Sequence, residues 1–296
     1  MKMPDAKKEG HVNAINITKV YDPFGVNVHA VDHCDFEIKP GDFLAVVGPS
    51  GCGKTTMLNM LAGFDSVTEG EIYLDGELIA SPNKKLLPGP DRMVVFQLGG
   101  LFPWKTVLEN VCFGPLMQGE VGKTLKADLE ERACHFSGKD ELEHKACELL
   151  KVAGLEGTEN DYPMNISSGM QRRVEIVRAL INEPKVLLLD EPFRALDAMT
   201  KSVMHRHLLD LYDLTGKSIM FITHDLYEAV FLANRVFVMT TRPGRLKKMI
   251  KVEIPRPRDI RTKTSKEYLY YIKETIAAVH EEARKAFQRG ERELAT

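Results

Sequence analysis

Short apolar runs alternate with turn residues in the first third of the chain. Asn13–Val20 and Val28–Ile38 carry β-branched residues at alternating positions, which predicts two strands. Phe43–Val47 is a continuous apolar run, typical of a buried strand, and it leads directly into a glycine-rich segment. A hairpin is predicted over residues 71–80, because Asp75-Gly76 in its middle favours a tight turn.

Helical periodicity and short apolar runs alternate through the rest of the chain. The predicted helices are Lys54–Ala62, Val107–Val111, Thr124–Ala133, Asp140–Val152, Gly169–Ile181, Ala198–Leu214, Leu226–Ala233 and a last helix after Ser265, a predicted N-cap. The predicted strands are Met93–Phe96, Val186–Asp190, Ser218–Thr223, Arg235–Thr240 and Leu246–Ile254. This alternation is typical of a mainly parallel sheet covered by helices.

The composition fits a folded protein with a sizeable core. The 296 residues are 44% hydrophobic, and 40 Lys and Arg against 42 Asp and Glu give a formal net charge of -2. This balance does not support a broad nucleic-acid-binding face, so no nucleic-acid partner is expected. No apolar run approaches the roughly 18 residues that span a bilayer, and residues 1–10 contain no apolar signal core. The prediction is a cytoplasmic protein that reaches a membrane only through a partner.

Cysteine and histidine residues suggest one metal hypothesis. The 5 cysteines form no Cys-x-x-Cys pair, which is typical of reduced thiols in a cytosolic protein. His144 and Cys147 share one face of a predicted helix, and Cys134 and His135 lie upstream. A metal site is one interpretation of this group. The other is a set of ordinary helix residues, because such spacing is common by accident.

A glycine-rich loop follows the apolar strand Phe43–Val47. Its residues, Gly48, Pro49, Ser50, Gly51, Cys52, Gly53, Lys54 and Thr55, match G-x-x-x-x-G-K-[ST], and Thr56 continues into the predicted helix. Glycines let successive N–H groups point at phosphate oxygens, and the helix N-terminus favours an anion. Lys54 is predicted to reach the β- and γ-phosphates of ATP, and the Thr55 hydroxyl to bind Mg²⁺. A thiol reagent at Cys52 is expected to block ATP binding sterically.

A second chemical element is a pair of carboxylates, Asp190 and Glu191, after the apolar run Val186–Leu189. In open α/β sheets, ligands bind outside the carboxyl ends of the strands. Asp190 is therefore predicted to hold Mg²⁺, directly or through water. Glu191, one residue further on, is predicted to accept a proton from the attacking water. The pair alone is a weak signal, and the glycine loop makes it a strong one.

With these motifs the chain resembles the ATP-binding cassette (ABC) family. Residues 166–173, Ile166-Ser167-Ser168-Gly169-Met170-Gln171-Arg172-Arg173, stand where that family has Leu-Ser-Gly-Gly-Gln or Leu-Ser-Gly-Gly-Met. Gln97 resembles its Q-loop glutamine, Ala195-Leu196-Asp197 its D-loop, Thr223-His224-Asp225 its switch histidine and Tyr21 its adenine-stacking aromatic residue. The resemblance implies an α/β fold: a P-loop NTPase core with a mainly parallel sheet, an N-terminal antiparallel β subdomain and an inserted α-helical subdomain.

The resemblance also implies roles for single residues. Gln97 would offer its amide to Mg²⁺ or to water at the γ-phosphate, and His224 would donate to a γ-phosphate oxygen and steady Glu191. Ser167, a predicted N-cap, and Gly169 would meet the γ-phosphate of ATP held by an opposing subunit, so that two chains enclose two ATP molecules. The expected catalytic residues are Lys54, Gln97, Glu191 and His224, and the expected Mg²⁺ ligands are Thr55, Gln97 and Asp190.

Two residues depart from the family pattern. Ser168 stands where the family usually has glycine, which permits close backbone approach. Its hydroxyl could be tolerated, could contact phosphate or could weaken the contact between subunits. Arg194 replaces the small residue that is usual before Ala-Leu-Asp. These departures leave the fold unaffected and the rate of hydrolysis open.

Two further segments resemble the importer ATPases of the nitrate, sulfonate, taurine and bicarbonate group. They are residues 102–111, Phe102-Pro103-Trp104-Lys105-Thr106-Val107-Leu108-Glu109-Asn110-Val111, and residues 242–246, Arg242-Pro243-Gly244-Arg245-Leu246. In such importers a groove around the Q-loop receives a short helix of a membrane permease. Exposed Phe102 and Trp104 would suit that contact, although packing within the subdomain is nearly as good an explanation.

The leading hypothesis is the ATP-hydrolysing subunit of an importer, on the cytoplasmic side of the inner membrane. Its partners would be a second ATPase subunit, permease subunits and, indirectly, a solute-binding protein. The alternatives are a single-cassette ABC ATPase outside transport and a weakly hydrolysing regulatory subunit. The expected division is a nucleotide-binding domain over residues 1–245, with its helical subdomain at about 98–168, and a C-terminal extension over residues 246–296. The role of its terminal helix stays open.

Overall fold

Two β-sheets and the helices that cover them form the framework of a computed structural model that describes residues 9–22, 25–124, 139–194 and 196–288. The strands are β1 (Val12–Tyr21), β2 (Val28–Ile38), β3 (Phe43–Val47), β4 (Glu69–Leu74), β5 (Glu77–Ala80), β6 (Arg92–Val95), β7 (Val186–Asp190), β8 (Ser218–Ile222), β9 (Arg235–Met239) and β10 (Leu246–Lys251). The helices are α1 (Lys54–Ala62), α2 (Val107–Thr124), α3 (Lys139–Val152), α4 (Ser168–Leu180), α5 (Ala198–Thr215), α6 (Leu226–Leu232) and α7 (Lys266–Gln288).

The larger sheet has the strand order β10-β9-β3-β8-β7-β6. Its strands β9, β3, β8, β7 and β6 run parallel, and β10 pairs antiparallel with β9. Val46 pairs with Ile222, which also pairs with Asp190, so the carboxyl ends of β3, β8 and β7 lie side by side. The predicted mainly parallel sheet is confirmed, and its register brings the loops after these strands to one edge.

The smaller sheet is antiparallel, in the order β2-β1-β4-β5. Asp75 and Gly76 between β4 and β5 both have positive φ, of 51° and 83°, as a tight hairpin turn requires. The predicted hairpin and the N-terminal antiparallel subdomain are therefore confirmed. Tyr21 ends β1 on this sheet.

Strand β3 separates two hydrophobic cores. Phe43, Ala45 and Val47 join the core formed with α4, α5 and α6, whereas Leu44 and Val46 join the core formed with α1 and the antiparallel sheet. Successive side chains of a strand point to opposite faces, so a strand buried on both faces reads as a continuous apolar run. This burial fixes the direction in which the glycine loop leaves the end of β3.

The inserted helical subdomain differs from its prediction in one helix. Helix α2 does not end at Val111 but continues to Thr124, with Pro115 inside it. Proline inside a helix costs about 3 kcal/mol, and the packing of α2 against α3 and α4 outweighs that cost. Gly114 allows the close approach, since a Cβ there would lie 2.5 Å from Oδ1 of Asn182. The helix predicted over Thr124–Ala133 lies outside the described residues after its first position.

The C-terminal segment is joined to the core sheet through β10. This strand ends at Lys251 rather than Ile254, because its partner β9 begins at Arg235, opposite Lys251. The predicted N-cap of the last helix is confirmed, since Oγ of Ser265 accepts the N–H of Tyr268 at 3.1 Å. The division at residue 245 stays a prediction, and β10 continues the sheet past it. Among the described helices, none has the length and apolar character needed to cross a bilayer.

A buried amide in α2 gives a test of the helical subdomain. Asn110 is fully buried, and its Oδ1 accepts the N–H of Phe102 at 2.8 Å. Its Nδ2 donates to the carbonyl oxygens of Phe102, Lys105 and Thr106 at 3.0 to 3.1 Å. Asn110→Asp keeps the shape but turns a carboxylate towards these carbonyls, so we expect a loss of about 3 kcal/mol in the free energy of unfolding.

The measurement is urea unfolding followed by circular dichroism. Asn83→Asp, which adds the same charge at an exposed position, should change the free energy by less than about 0.5 kcal/mol. Equal stability of the two variants would mean that the Asn110 amide does not anchor this segment.

Candidate functional site

The glycine loop joins the end of β3 to the start of α1. Helix α1 begins at Lys54, its N-cap Gly53 has φ 94°, and no described side chain caps the helix. A Cβ at Gly53 would lie 2.5 Å from the carbonyl oxygen of Ala30, so only glycine fits there. The first N–H groups of a helix lack partners within the helix, and they attract anions. This geometry suits the predicted phosphate site.

Lys54 lies inside the curve of this loop and is buried. Its Nζ donates to the carbonyl oxygens of Gly48 and Pro49 at 2.9 Å each and lies 3.7 Å from Sγ of Cys52. A buried ammonium ion must be compensated, and neutral carbonyls compensate it less well than an anion does. The structure thus places the Lys54 charge where a phosphate group would exchange for these carbonyls.

Cys52 faces inwards, and the expectation that its modification by a thiol reagent blocks ATP binding stays a prediction. The side chain is 1% exposed. Burial raises the pKa of the Cys52 thiol, although the nearby Lys54 charge opposes this effect. Thiolates, and not thiols, react with such reagents, so a buried thiol with a raised pKa is inert.

Asp190 and Thr55 meet at the carboxyl end of β7. Oγ1 of Thr55 lies 3.5 Å from Oδ1 of Asp190. Burial raises the pKa of the Asp190 carboxyl, and the Thr55 hydrogen bond and the Lys54 charge offset that effect only in part. A divalent cation beside these two oxygens would supply the missing compensation.

The donor set fits Mg²⁺ better than a transition metal. Mg²⁺ prefers oxygen ligands and is usually held by one or two protein groups together with substrate phosphates and water. Within the described ranges, no group of three or more His, Cys, Asp or Glu residues is placed to hold a metal. The second metal hypothesis groups Cys134, His135, His144 and Cys147. Of these, Cys134 and His135 lie outside the described residues.

The structure brings the predicted base Glu191 and the predicted switch residue His224 together. Nδ1 of His224 lies 3.2 Å from Oε2 of Glu191. Nη1 of Arg194, one of the departures from the family pattern, lies 3.4 Å from the same oxygen. Glu191 has φ 43°, an unusual conformation for a non-glycine residue, and its N–H donates to the carbonyl oxygen of Ile222 at 2.9 Å. Such conformations persist where the surrounding structure fixes a functional group.

A buried network behind His224 was missed by the sequence analysis. Thr223 donates to Oε2 of Glu228 at 2.5 Å, and Nε2 of His205 lies 2.8 Å from Oε1 of the same carboxylate. Thr223 in turn accepts the N–H of Asp225 at 3.0 Å. These contacts hold the loop that carries His224. The available signal was Asp225, a helix-capping residue type directly before the apolar positions of α6.

A second missed network ties Gln97 to α4. Arg172 donates through Nη2 to the carbonyl oxygen of Gln97 at 3.1 Å and through Nε to that of Pro192 at 2.5 Å. It also pairs with Glu175, whose Oε1 accepts the N–H of Gly100 at 2.6 Å. Arg172 and Glu175 are both buried. The segment after β6, the helix α4 and the residue after Glu191 are thus one connected unit.

The predicted contacts for a second chain lie at the start of α4. Ser167 is its N-cap, with Oγ accepting the N–H of Met170 at 3.3 Å, as predicted. Gly169 is buried, and a Cβ there would lie 2.8 Å from Cγ2 of Thr200 on α5. Within the described ranges, no hydrogen bond joins Ser167 or Gly169 to Lys54, Asp190 or Glu191. Ser168 is exposed, and Ala195 of the D-loop lies outside the described residues.

Tyr21 lies near the end of the glycine loop. Its hydroxyl donates to Asp65, and the Lys19 ammonium lies 4.9 Å from the ring centroid. Burial and the hydrogen bond with Asp65 raise the pKa of Tyr21 to about 12, and a contact with Thr56 opposes them. The partly exposed ring therefore stands beside the first turn of α1. Stacking of adenine on it stays a prediction.

The raised pKa of Asp190 predicts a stability effect with a defined sign. The folded-state pKa lies above the unfolded value, so the contribution of this carboxyl to stability is present below about pH 4 and is lost as the pH rises through the folded-state pKa. Asp190→Asn removes this charge and should unfold at a higher urea concentration than the wild type at pH 7, with the gap closing near pH 4. The measurement is urea unfolding across this pH range.

Asp75→Asn is the control of opposite sign. Burial disfavours the Asp75 charge, but Lys185 and the N–H groups of His11 and Gly10 outweigh it and lower the pKa of this carboxyl. This variant should lose stability at pH 7. A wild type more stable than Asp190→Asn at pH 7 would contradict the interpretation of Asp190 as an undercompensated charge.

Comparison with known proteins finds ABC transporter ATP-binding proteins that match most of the chain. A relative from Methanocaldococcus jannaschii, an uncharacterised ABC transporter ATP-binding protein, is 41% identical over 92% of this chain and 92% of its own length. An aliphatic sulfonates import ATP-binding protein of Bacillus cereus is 38% identical over 87% of this chain and 91% of its length. A taurine import ATP-binding protein of Jannaschia sp. is 43% identical over 79% of both chains.

A solved structure and a family match complete the comparison. A dimeric ATP-binding cassette bound to ADP and Pi is similar, with a TM-score of 0.65 and 32% identity over 82% of this chain and all of that one. The family described as ABC transporter matches residues 31–194, which include the glycine loop, Gln97, α4 and Asp190-Glu191. The chain therefore belongs to the ATP-binding cassette family of ABC transporters.

Proposed function

We propose that this chain is the ATP-hydrolysing subunit of a membrane importer. The observation that supports it most is the convergence at one edge of the larger sheet. There Lys54 lies inside the glycine loop, Thr55 meets Asp190, and Glu191 meets His224. ATP hydrolysis needs a cation that binds phosphate, oxygen atoms that bind a metal ion, and a general base. Lys54, the Thr55–Asp190 pair and the Glu191–His224 pair supply these groups.

The glycine-loop N–H groups and Lys54 bind the phosphates, and Tyr21 stacks on adenine. Thr55, Asp190 and Gln97 would hold Mg²⁺, which when bound would supply positive charge to offset that of the phosphates. Glu191 accepts the proton of the attacking water. His224 keeps the Glu191 carboxylate in place and donates to the γ-phosphate.

A second ATPase subunit completes each site. Ser167 is the N-cap of α4, and a helix N-terminus favours an anion. Ser167 and Gly169 of one chain then contact the γ-phosphate held by the other. The similar cassette bound to ADP and Pi is a dimer, which supports this arrangement.

A permease binds in the cavity between β6 and the helical subdomain. This cavity of about 270 Å³ is lined by apolar residues that include Phe96, Leu98 and Phe113. Trp104 is 71% exposed nearby, and Leu98 is 83% exposed. Phe102 is half-buried and its ring centroid lies 4.7 Å from that of Phe113, which agrees with the alternative of packing within the subdomain. The partner segment is short and apolar, and it presses on the residues that follow Gln97.

The transported solute is a small anion or organic solute. The relatives named above import aliphatic sulfonates and taurine, and nitrate and bicarbonate belong to the same chemical range. The chain acts as a peripheral subunit on the cytoplasmic side of the inner membrane. A solute-binding protein delivers the solute to the permease.

Trp104→Glu tests the permease contact. A charge at this exposed apolar position should reduce ATPase stimulation by a reconstituted permease at least about 10-fold, since desolvating a charge in an interface is unfavourable. Binding of Mg-ATP to the isolated chain should be unchanged. The matched control is Ile260→Glu, at a site that is 70% exposed and is not part of the cavity lining. Equal stimulation of Trp104→Glu and wild type would exclude this surface.

Glu191→Gln tests the catalytic base and the dimer. Loss of a general base should lower kcat by about 10²- to 10⁴-fold while Mg-ATP still binds. ATP should then accumulate between two chains, which size-exclusion chromatography with Mg-ATP detects as a dimer. Glu183→Gln, at an exposed residue with φ 51°, is the matched control and should behave as wild type. A Glu191→Gln variant that stays monomeric at saturating Mg-ATP would rule out the dimer model for the isolated chain.

A further inference from the structure

The turn between β9 and β10 packs directly against the glycine loop. Nε of Arg242 donates to the carbonyl oxygen of Gly51 at 3.1 Å. A Cβ at Gly51 would lie 2.9 Å from Nη2 of Arg242, so the guanidinium group lies close against the bare backbone of the loop. Gly244 of the same turn could not carry a side chain, because its Cβ would lie 2.2 Å from the carbonyl oxygen of Cys52.

This turn is held on the side of the antiparallel sheet. Gly244 donates its N–H to the carbonyl oxygen of Ala30 at 3.1 Å and accepts the N–H of Asp32 at 3.0 Å. Oγ1 of Thr240 bridges the turn, since it accepts the N–H of Arg245 at 2.9 Å and donates to the carbonyl oxygen of Pro243 at 2.7 Å. These bonds fix the backbone of the turn that carries Arg242.

The C-terminal helix α7 holds the other side of the turn. Oε2 of Glu282 on α7 accepts the N–H of Thr241, the residue before Arg242, at 3.2 Å. Glu282 is 3% exposed, and Nζ of Lys247 on β10 lies 2.9 Å from its carboxylate. Burial disfavours the Glu282 charge, but hydrogen bonds from Lys285, Lys247 and Thr241 outweigh it and hold its pKa below the ordinary value. The anchor is thus a charged carboxylate inside the fold.

A guanidinium group on the Gly51 carbonyl has two effects on the loop. It polarises the peptide group between residues 51 and 52, which makes the N–H of Cys52 a stronger donor. It also stabilises Gly51 at φ 71°, the conformation on which the curve of the loop depends. The N–H of Cys52 lies 3.4 Å from its acceptor, the carbonyl oxygen of Pro49, which is a long contact that a phosphate oxygen would improve on.

We propose that Arg242 is a positioning residue for nucleotide binding and that α7, through Glu282, sets its position, so that the C-terminal helix tunes the affinity of the glycine loop for the polyphosphate of ATP and ADP. The inference rests on the proposed nucleotide-binding role of residues 48–55. It gives the C-terminal helix a role at the ATP site without direct contact with ATP.

Arg245 offers the internal comparison. It belongs to the same turn and is also charged, but it pairs with Asp32 instead of the glycine loop. A general loss of positive charge or of turn stability would affect Arg242 and Arg245 variants alike. A role through the Gly51 carbonyl requires Arg242 alone.

The test is calorimetric titration of the full chain with Mg-ADP, together with ATPase kinetics. Arg242→Gln should raise the Kd for Mg-ADP and the KM for ATP about 10-fold and leave kcat within about 2-fold, because Glu191 and His224 are untouched. Arg242→Lys, which keeps the charge but not the flat guanidinium, should give an intermediate Kd. Arg245→Gln should bind as wild type.

Glu282→Gln tests the link to the helix. It should raise the Kd for Mg-ADP about 3-fold, since the amide oxygen still accepts from Thr241 but the lysine contacts are weakened. Lys248→Ala removes an exposed pair between β10 and Glu274 of α7 and should have no effect. If Glu282→Gln binds as wild type, the role assigned to α7 is wrong. Where Arg242→Gln fails to fold, as judged by circular dichroism, the Arg242→Lys Kd decides the role of Arg242.

Lys54→Ala separates the two proposals. If it binds Mg-ADP as wild type, the nucleotide site itself is misplaced. If Lys54→Ala loses binding while Arg242→Gln binds as wild type, or while Arg242→Gln and Arg245→Gln weaken binding equally, only the role of Arg242 is overturned.

Discussion

Burial of β3 on both faces is the constraint on which the site depends. Its side chains alternate between two hydrophobic cores, so the strand can neither shift by one residue nor rotate without exposing one of them. The glycine loop leaves β3 at Val47 and therefore starts from a fixed point. Because β7 and β8 are paired in register beside it, Asp190 and His224 reach the same edge. The relative positions of these site residues are thus fixed by packing in the core.

Polar groups around this edge fall into two classes. Arg172 and Glu175 form a buried ion pair, and His205 bonds to Glu228 through Nε2, although its Nδ1 has no partner among the described residues. Lys54 and Asp190 are also buried, yet they have only neutral or distant partners. Buried charges without close ionic partners are unfavourable unless a ligand completes them. The two classes separate the supporting framework from the groups proposed to bind phosphate and metal.

Much of this site could be predicted from the sequence, because its signals are local. The glycine loop, Asp190-Glu191 and Ser167 are defined by residue types at fixed spacing next to a strand or helix. The Arg172–Glu175 network and the Arg242–Gly51 contact join residues far apart in the chain, and no local pattern marks them. The length of α2 was underestimated because packing against α4 overrides the local effect of Pro115. The burial of Cys52 was not predicted, because the sequence does not give the direction of a side chain in a loop.

Helix α4 links the two nucleotides that a dimer would hold. Its first residues face the partner's ATP in the proposed dimer, while Arg172 and Glu175, about one and two turns further on, bond to the backbone of Gln97 and Gly100. A helix of this length moves as a rigid element, and buried ion pairs do not rearrange one partner at a time. In the proposed dimer, a displacement of the segment after Gln97 by nucleotide or by the permease would therefore also move Ser167. Closure of one nucleotide site and opening of the other would then be parts of the same motion.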